Sequence, residues 1–315
     1  MKKTVLFPNA GRRVELIQRF QMAAKENDID LTIIGTDITT NAPALSFCDK
    51  TYLLPKERNL NTLERFLEII ETNSVDIVVC TIDPDLEFFS QHRGALSTVN
   101  SKNVELLLSD VNIIDASSDK RKTAQFFNQI GVSTPQLYDQ ASINFPTFAK
   151  PVKGSGSFGA KLLVDASDLE SYLIEFGEHD PIFQEYVSGK EYTLDCFVDI
   201  NGETVVSPRE RLRVRGGEVT VSKTVELPEL EKQAKKVLSS GGFFGPVTLQ
   251  AIVDETTSRP YFIEINARFG GGSILSIEAG LNSPYHILSQ DHDWFSGLKR
   301  NLTMMRYDMS VFSEG

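Results

Sequence analysis

The chain has 315 residues, 41% hydrophobic and 24% charged. That is more than one core of ordinary size needs, so two or three globular domains are expected rather than a disordered chain. With 43 acidic against 32 basic side chains the net charge is −11, the wrong sign for neutralising nucleic-acid phosphates or anionic lipid. Both are excluded as bulk partners, while a small anion at a local basic site is not.

The apolar run at 3–7, the Pro8–Gly11 turn and the helix-period residues Val14, Leu16, Ile17, Phe20 and Ala24 read as strand, turn, helix. Strands at 31–37, 51–54 and 76–81, a helix at 60–71 and a strand at 104–108 continue the alternation, which predicts a parallel doubly wound sheet. A helix over 119–130 stops at Gly131 with Pro135 beyond. The texture then turns hairpin-rich, with strands at 145–150, 160–164, 182–187, 192–199, 204–214 and 219–225 and one helix near 167–176. A helix at 228–239 and strands at 247–253 and 261–265 follow, so an α/β front is succeeded by antiparallel α+β structure. Cys48, Cys80 and Cys196 form neither a CxxC pair nor a disulfide framework, and no run is apolar enough for a signal peptide or membrane span. A reducing cytoplasm is the expected location.

Four stretches could carry chemistry. In Lys150-Pro-Val-Lys153-Gly154-Ser155-Gly156-Ser157-Phe158-Gly159, glycines let backbone N–H groups approach phosphate oxygens while lysines supply charge; taken alone, a flexible hairpin loop also fits. In Tyr261-Phe-Ile-Glu264-Ile-Asn266-Ala-Arg268, alternation along a strand points Glu264, Asn266 and Arg268 one way, with Ile263 and Ile265 toward the core. Glu264 and Asn266 suit Mg²⁺ (or Mn²⁺) held against phosphates, with Gln250 adding an oxygen if its strand pairs alongside; a solvated polar face is the plain alternative. In Gln184-Glu185-Tyr186-Val187-Ser-Gly-Lys-Glu191, backbone groups past the strand end suit an adenine edge and Glu191 a ribose hydroxyl, although an ordinary hairpin reads the same. Arg209, Arg211, Arg213 and Arg215 recur at a spacing of two, which on a strand gathers them on one face, where a bound anion or acidic neighbours must compensate them.

Taken in order, these pieces resemble the ATP-grasp superfamily, and more closely a stand-alone protein similar to one synthetase unit of the carbamoyl phosphate synthase large subunit. The series also includes Asn9-Ala-Gly-Arg12-Arg13, Thr36-Asp37, Ile82-Asp83-Pro84-Asp85-Leu86 and Asp119-Lys120. The resemblance implies a Rossmann-like pre-ATP-grasp domain (1–115), a small ATP-grasp subdomain with the glycine loop (116–182) and a C-terminal subdomain with the metal site (183–315). It implies that Lys120 and Lys150 contact ATP phosphates under the loop of Lys153, Gly154, Ser155, Gly156, Ser157 and Gly159. Glu185, Tyr186 and Val187 would hold adenine and Glu191 the ribose, and Gln250, Glu264 and Asn266 the metal. Arg268 and Lys150 would be catalytic. Arg12, Arg13, Arg209, Arg211 and Arg213 are candidate contacts for substrate anions.

The implied activity is that of an ADP-forming ligase joining a small carboxylate and an amine through an acyl phosphate. A degenerate ATP-binding regulator and a phosphotransferase stand as alternatives, and a homodimer is the default assembly. Gln250 stands where many relatives carry an acid, which leaves open whether one metal or two bind. The chain holds one synthetase unit and no glutaminase, so carbamoyl phosphate synthesis is not the expected reaction. Residues after 290 have no mapped role, and His292 between two aspartates reads as a surface cluster.

Overall fold

The computed structural model describes residues 1–154, 156–291 and 295–312; Ser155 of the expected phosphate loop and His292 lie outside the described residues. The front of the chain runs β1 (Lys2–Phe7), α1 (Val14–Glu26), β2 (Asp30–Asp37), β3 (Lys50–Leu53), α2 (Leu60–Asn73), β4 (Ile77–Val78), α3 (Asp83–Gln91) and β5 (Glu105–Leu106). The strands form a parallel sheet in the order β3-β2-β1-β4-β5. The order reverses direction at β1, so the loops after β1 and β4 diverge there and open the crevice in which doubly wound sheets bind ligands. Helix α3 was not expected from the sequence. Its opening Asp83-Pro84-Asp85 has the form of a turn, yet Pro suits a first helical position and the two acids favour the positive end of the helix.

Two helices follow, α4 (Val111–Ser118) and α5 (Lys120–Gln129). The Asp119 carboxylate caps α5 by accepting from the Arg121 and Lys122 amides, an interaction of about 1 kcal/mol. The small antiparallel sheet comprises β6 (Leu137–Tyr138), β7 (Thr147–Pro151), β8 (Lys161–Leu163) and β9 (Pro181–Glu185), in the order β8-β7-β9-β6, with α6 (Ala166–Phe176) against it. Its core is Ala149, Leu163, Tyr172, Phe176 and Phe183. Helix α5, grouped with the glycine loop in the sequence reading, packs instead on the large sheet, where the Phe127 ring lies 5.6 Å from Phe262.

That large sheet is antiparallel and ordered β14-β13-β10-β11-β12-β15. Its strands are β10 (Gly189–Val198), β11 (Thr204–Arg215), β12 (Glu218–Thr224), β13 (Gly245–Asp254), β14 (Pro260–Asn266) and β15 (Thr303–Met305), with α7 (Pro228–Leu238), α8 (Ser273–Glu278) and α9 (Ser283–Ser289) between them. One face buries Leu194, Val247, Leu249, Ala251 and Ile265; the period of two then presents Glu191, Thr193, Thr248 and Gln250 on the other. The Phe7, Phe20 and Phe269 rings meet edge to face at 5.2 and 6.4 Å, tying the front sheet to the segment after β14. No helix among the described residues is long and apolar enough to cross a membrane.

Two bulges correct the expected strand faces. On β14, Gln250 pairs with Glu264 but Ala251 with Phe262, so Ile263 is an extra residue that turns to the open face while Phe262 is fully buried. On β11 the register slips between Arg211 and Arg213. The four arginines therefore do not share one face.

Candidate active site

A cleft of about 680 Å³ lies between the open face of the large sheet and the small sheet, closed at one end by the front domain. Such a volume is ordinary for a small-molecule site. Its floor carries Glu191 and Thr193 from β10, Gln250 from β13, Glu264 and Asn266 from β14, and Arg209 and Arg211 from β11; its roof carries Lys150, Glu185 and the glycine loop. The loops after β1 and β4 deliver Arg13 and Asp83. The first of these loops is fixed by side chains beneath it: the Asn9 amide donates to both oxygens of buried Asp85, and the Gly11 amide to Asp37.

The floor groups are linked in a row. Asn266 donates to Glu264 at 3.0 Å and accepts from Arg268 at 3.0 Å, and Arg268 forks onto Asp83 at 2.7 and 3.0 Å. Glu264, Asn266 and Arg268 thus share a face as the alternation required, and Gln250 stands opposite Glu264 on the paired strand. Gln250 donates to Glu191 at 3.3 Å, and Arg211 pairs with the same carboxylate at 3.3 Å. Burial pushes the Glu191 carboxyl up against the pull of Arg211. Arg209 is 3% exposed and paired with equally buried Asp195 at 2.8 Å, which also accepts from Ser276. Arg209 Nη1, Arg211 Nε and Thr193 Oγ1 are buried with no hydrogen-bond partner among the described residues. Buried polar atoms left unsatisfied in this way mark a place where an unseen polar group belongs.

The roof differs. Lys150 is 8% exposed and has no ion-pair partner among the described residues. Burial lowers its pKa to about 8, opposed by Glu264 and reinforced by Lys120. The Lys120 ammonium donates to the Gly154 carbonyl at 3.0 Å, reaching up to the loop. Gly154, Gly156 and Ser157 line the cleft, as do Glu185, Tyr186 and Val187. The Glu185 carboxylate accepts from the Gln136 amide. Gly156 lies directly on the turn between β11 and β12: a Cβ on Gly217 would stand 2.3 Å from the Gly156 Cα.

Several expected site residues lie elsewhere. Lys153 is exposed and outside the cleft lining, and Gly159 supports the loop from beneath, its carbonyl accepting from the Tyr172 hydroxyl at 2.8 Å. Arg213 is carried away by the β11 bulge to an exposed position. Arg12 misses the cleft; 80% exposed, it approaches Asp308 and edges a second, smaller cavity. Arg13 borders both cavities, donates to the Thr81 carbonyl and stays cationic, burial lowering it only to about 10.

The sequence reading missed the residues that hold others. Asp83 orients Arg268 and Asp195 orients Arg209. Gly270 and Gly272 allow the backbone close to the floor, since a Cβ on either would meet Thr248 Oγ1 at 2.9 Å or the Arg209 guanidinium at 2.8 Å. The run Gly270-Gly271-Gly272, one residue beyond Arg268, was the available signal.

Residues 5–104 match the family profile described as PylC-like, N-terminal domain, and residues 117–272 match the ATP-grasp domain. The chain is 24% identical over 299 residues to the carbamoyl-phosphate synthase of Methanobrevibacter smithii, an alignment covering 86% of this chain and 77% of the relative. It is 26% identical over 273 residues to the carbamoyl phosphate synthase large chain of Clostridium beijerinckii, covering 78% of this chain but only 24% of that protein. The 3-methyl-D-ornithine--L-lysine ligase of Methanosarcina barkeri is 27% identical over 183 residues, 58% of this chain and 46% of the relative. Among solved structures, the ADP complex of N5-carboxyaminoimidazole ribonucleotide synthetase superposes with a TM-score of 0.76 at 16% identity, covering 96% of this chain and 81% of the other. The Rossmann-like front sheet, the antiparallel grasp and the two matched profiles agree, and the chain belongs to the ATP-grasp superfamily of ligases.

Proposed function

We propose that the protein joins a small carboxylate to an amine at the expense of ATP, through an acyl phosphate. The observation that carries this reading is buried Lys150, an ammonium without a protein counter-ion, facing a carboxylate–amide–guanidinium row on the opposite wall. A cation buried in that setting is costly unless an anion joins it or its proton is lost, and near neutral pH Lys150 keeps its proton. A triphosphate supplies that anion.

In this reading Lys150 and Lys120 grip the phosphates while Gly154, Gly156 and Ser157 close over them. Tyr186, Val187 and Glu185 border the adenine, and Glu191 receives a ribose hydroxyl. Gln250, Glu264 and Asn266 offer an all-oxygen donor set, and no cluster of three His, Cys, Asp or Glu that could hold a metal by itself exists among the described residues. That is the pattern of Mg²⁺ shared with substrate phosphates rather than caged by protein. When bound, the metal would neutralise phosphate charge.

The substrate carboxylate attacks the γ-phosphorus, the bond to the ADP oxygen breaks, and ADP leaves. Arg268, aimed by Asp83 and Asn266, stabilises charge on the transferred group. The amine then attacks the acyl carbon, phosphate departs, and the nitrogen loses a proton. Arg209, Arg211 and Thr193 line the same cleft, each with one buried polar atom unsatisfied, and suit the oxygens of the acyl phosphate. No covalent nucleophile on the protein is required. Purified protein should bind Mg·ATP and release ADP with a carboxylate alone or faster with an amine. ADP formation that ignores every amine but follows a hydroxyl compound would instead indicate a phosphotransferase.

A further inference from the structure

The C-terminal segment lines no part of the cleft, yet its charges fall in a pattern. Strand β15 adds the last edge to the large sheet, and the Arg306 amide extends that ladder by donating to the Thr220 carbonyl at 2.8 Å. Side chains alternate along it. Met304 packs against the core that holds Phe7 and Phe20, Arg306 and Asp308 follow on that side, and Met305 and Tyr307 are exposed. Each charged residue then makes a double contact. Arg306 lies 3.5 Å from Glu15 and 3.1 Å from Glu218, and Asp308 lies 3.7 Å from Arg12 and 3.0 Å from Arg215. Arg12 and Glu15 lie on either side of Arg13 at the entry to α1. Arg215 and Glu218 lie on either side of Gly216-Gly217, the turn of the β11–β12 hairpin that meets Gly156 of the glycine loop.

That turn has no side chain of its own. Among the described residues, the one side-chain bond to it comes from Arg211, onto the Gly217 carbonyl at 3.4 Å, so its place depends on what holds the residues beside it. An exposed ion pair alone contributes little, whereas charges linked in a network on a strand that the sheet has already ordered contribute more. Here an arginine sits between two carboxylates and a carboxylate between two arginines, with Tyr307 separating them. Resting on the reading in which the glycine loop closes over nucleotide phosphates, we infer that Arg306 and Asp308 are positioning residues: they clasp the hairpin to the front domain and so fix the stop against which the loop closes. Neither lines the nucleotide cleft.

The test is amide hydrogen exchange of the full chain without nucleotide, followed by calorimetric titration with Mg·ADP. Arg306, only 23% exposed, should matter most. Arg306→Ala should speed exchange about ten-fold in the segments 150–160 and 214–219 alone and weaken Mg·ADP about five-fold. Arg306→Lys should recover part of each change. Asp308→Ala and Arg215→Ala should act more weakly, and the double variant no more than either alone, because the two share one contact. Tyr307→Ser, between the two charges but facing away, should leave every value within about two-fold. Unchanged exchange at hairpin and loop in Arg306→Ala overturns the inference, as does acceleration spread evenly over front sheet and floor, which would mark a general loss of stability. An equal effect from Tyr307→Ser, or local acceleration with Mg·ADP affinity unchanged, overturns it too. Wild-type protein that binds no Mg·ADP sinks the nucleotide reading alone; exchange still decides whether the tail holds the hairpin.

Discussion

On the floor of the cleft Glu264, Asn266, Arg268, Arg211 and Arg209 are held by one another or by Asp83, Glu191 and Asp195. On the roof Lys150 is as secluded yet has no such partner, and the loop beside it is held by single hydrogen bonds from Lys120 and Tyr172, the Phe158 ring contacts and the approach of Gly156 to Gly217. The floor is organised before ligand arrives, and its charges answer to the fold. The roof's charge has no counter-ion in the fold, so its arrangement costs stability until an anion joins it. Preorganisation and responsiveness are divided between two sheets.

The contrast can be broken most forcefully at Glu264. Glu264→Ala should lower ADP release by about 10³-fold, near 4 kcal/mol of barrier, with little change in unfolding midpoint. An unchanged rate in a coupled ADP assay would remove the metal assignment. On the same floor, Asp195→Ala strands a buried guanidinium and should cost about 3 kcal/mol or more in urea unfolding; a loss below 1 kcal/mol would mean that the floor is not charge-locked.

The roof should respond oppositely. Lys150→Met removes an uncompensated buried charge, so the melting temperature should hold or rise while Mg·ADP affinity falls about 100-fold, as read by calorimetry. A fall in both would show that Lys150 has a structural partner. The pH dependence follows from the same group. Its folded pKa, about 8, lies below the ordinary 10.5, so between those values the unfolded chain binds the proton that the folded chain has released. Stability therefore rises with pH across that window. Nucleotide affinity moves the other way, weakening above pH 8 by up to about ten-fold per unit, and Lys150→Arg should flatten that profile.

The smallest effect belongs to the loop contact. Gly216 and Gly217 both have positive φ, 57° and 77°, but only a Cβ at Gly217 collides with Gly156. Each alanine variant should lose about 1 kcal/mol through backbone strain. Gly217→Ala alone should raise the KM for ATP, by about ten-fold, and equal KM values would dismiss the contact as a stop for the loop.

What the sequence displayed and what it hid divide along lines of distance. The parallel front was legible because apolar periods of two and 3.6 alternate along it, and the Glu264, Asn266 and Arg268 row because a strand repeats every second residue. Ile263 and Arg213 escaped because a bulge reverses faces, and no composition rule marks where one falls. Asp83 reaches Arg268 across 185 residues of chain, and Asp195 reaches Arg209 through burial. Such pairs exist only after folding. Helix α8 is apolar at Ile274, Leu275 and Ile277, all within six residues, too short and uniform to show a period, and β15 is three residues long.

The edge-to-face rings of Phe7, Phe20 and Phe269, with the Asp83–Arg268 fork, join the front sheet to the floor. Both walls of the second cavity belong to that joined body. Its shape therefore does not wait for the roof to move, and under the ligase reading a substrate entering there is expected to add before or after nucleotide. Initial-velocity lines that intersect, with product-inhibition patterns free of a compulsory first substrate, are the signature this rigidity dictates.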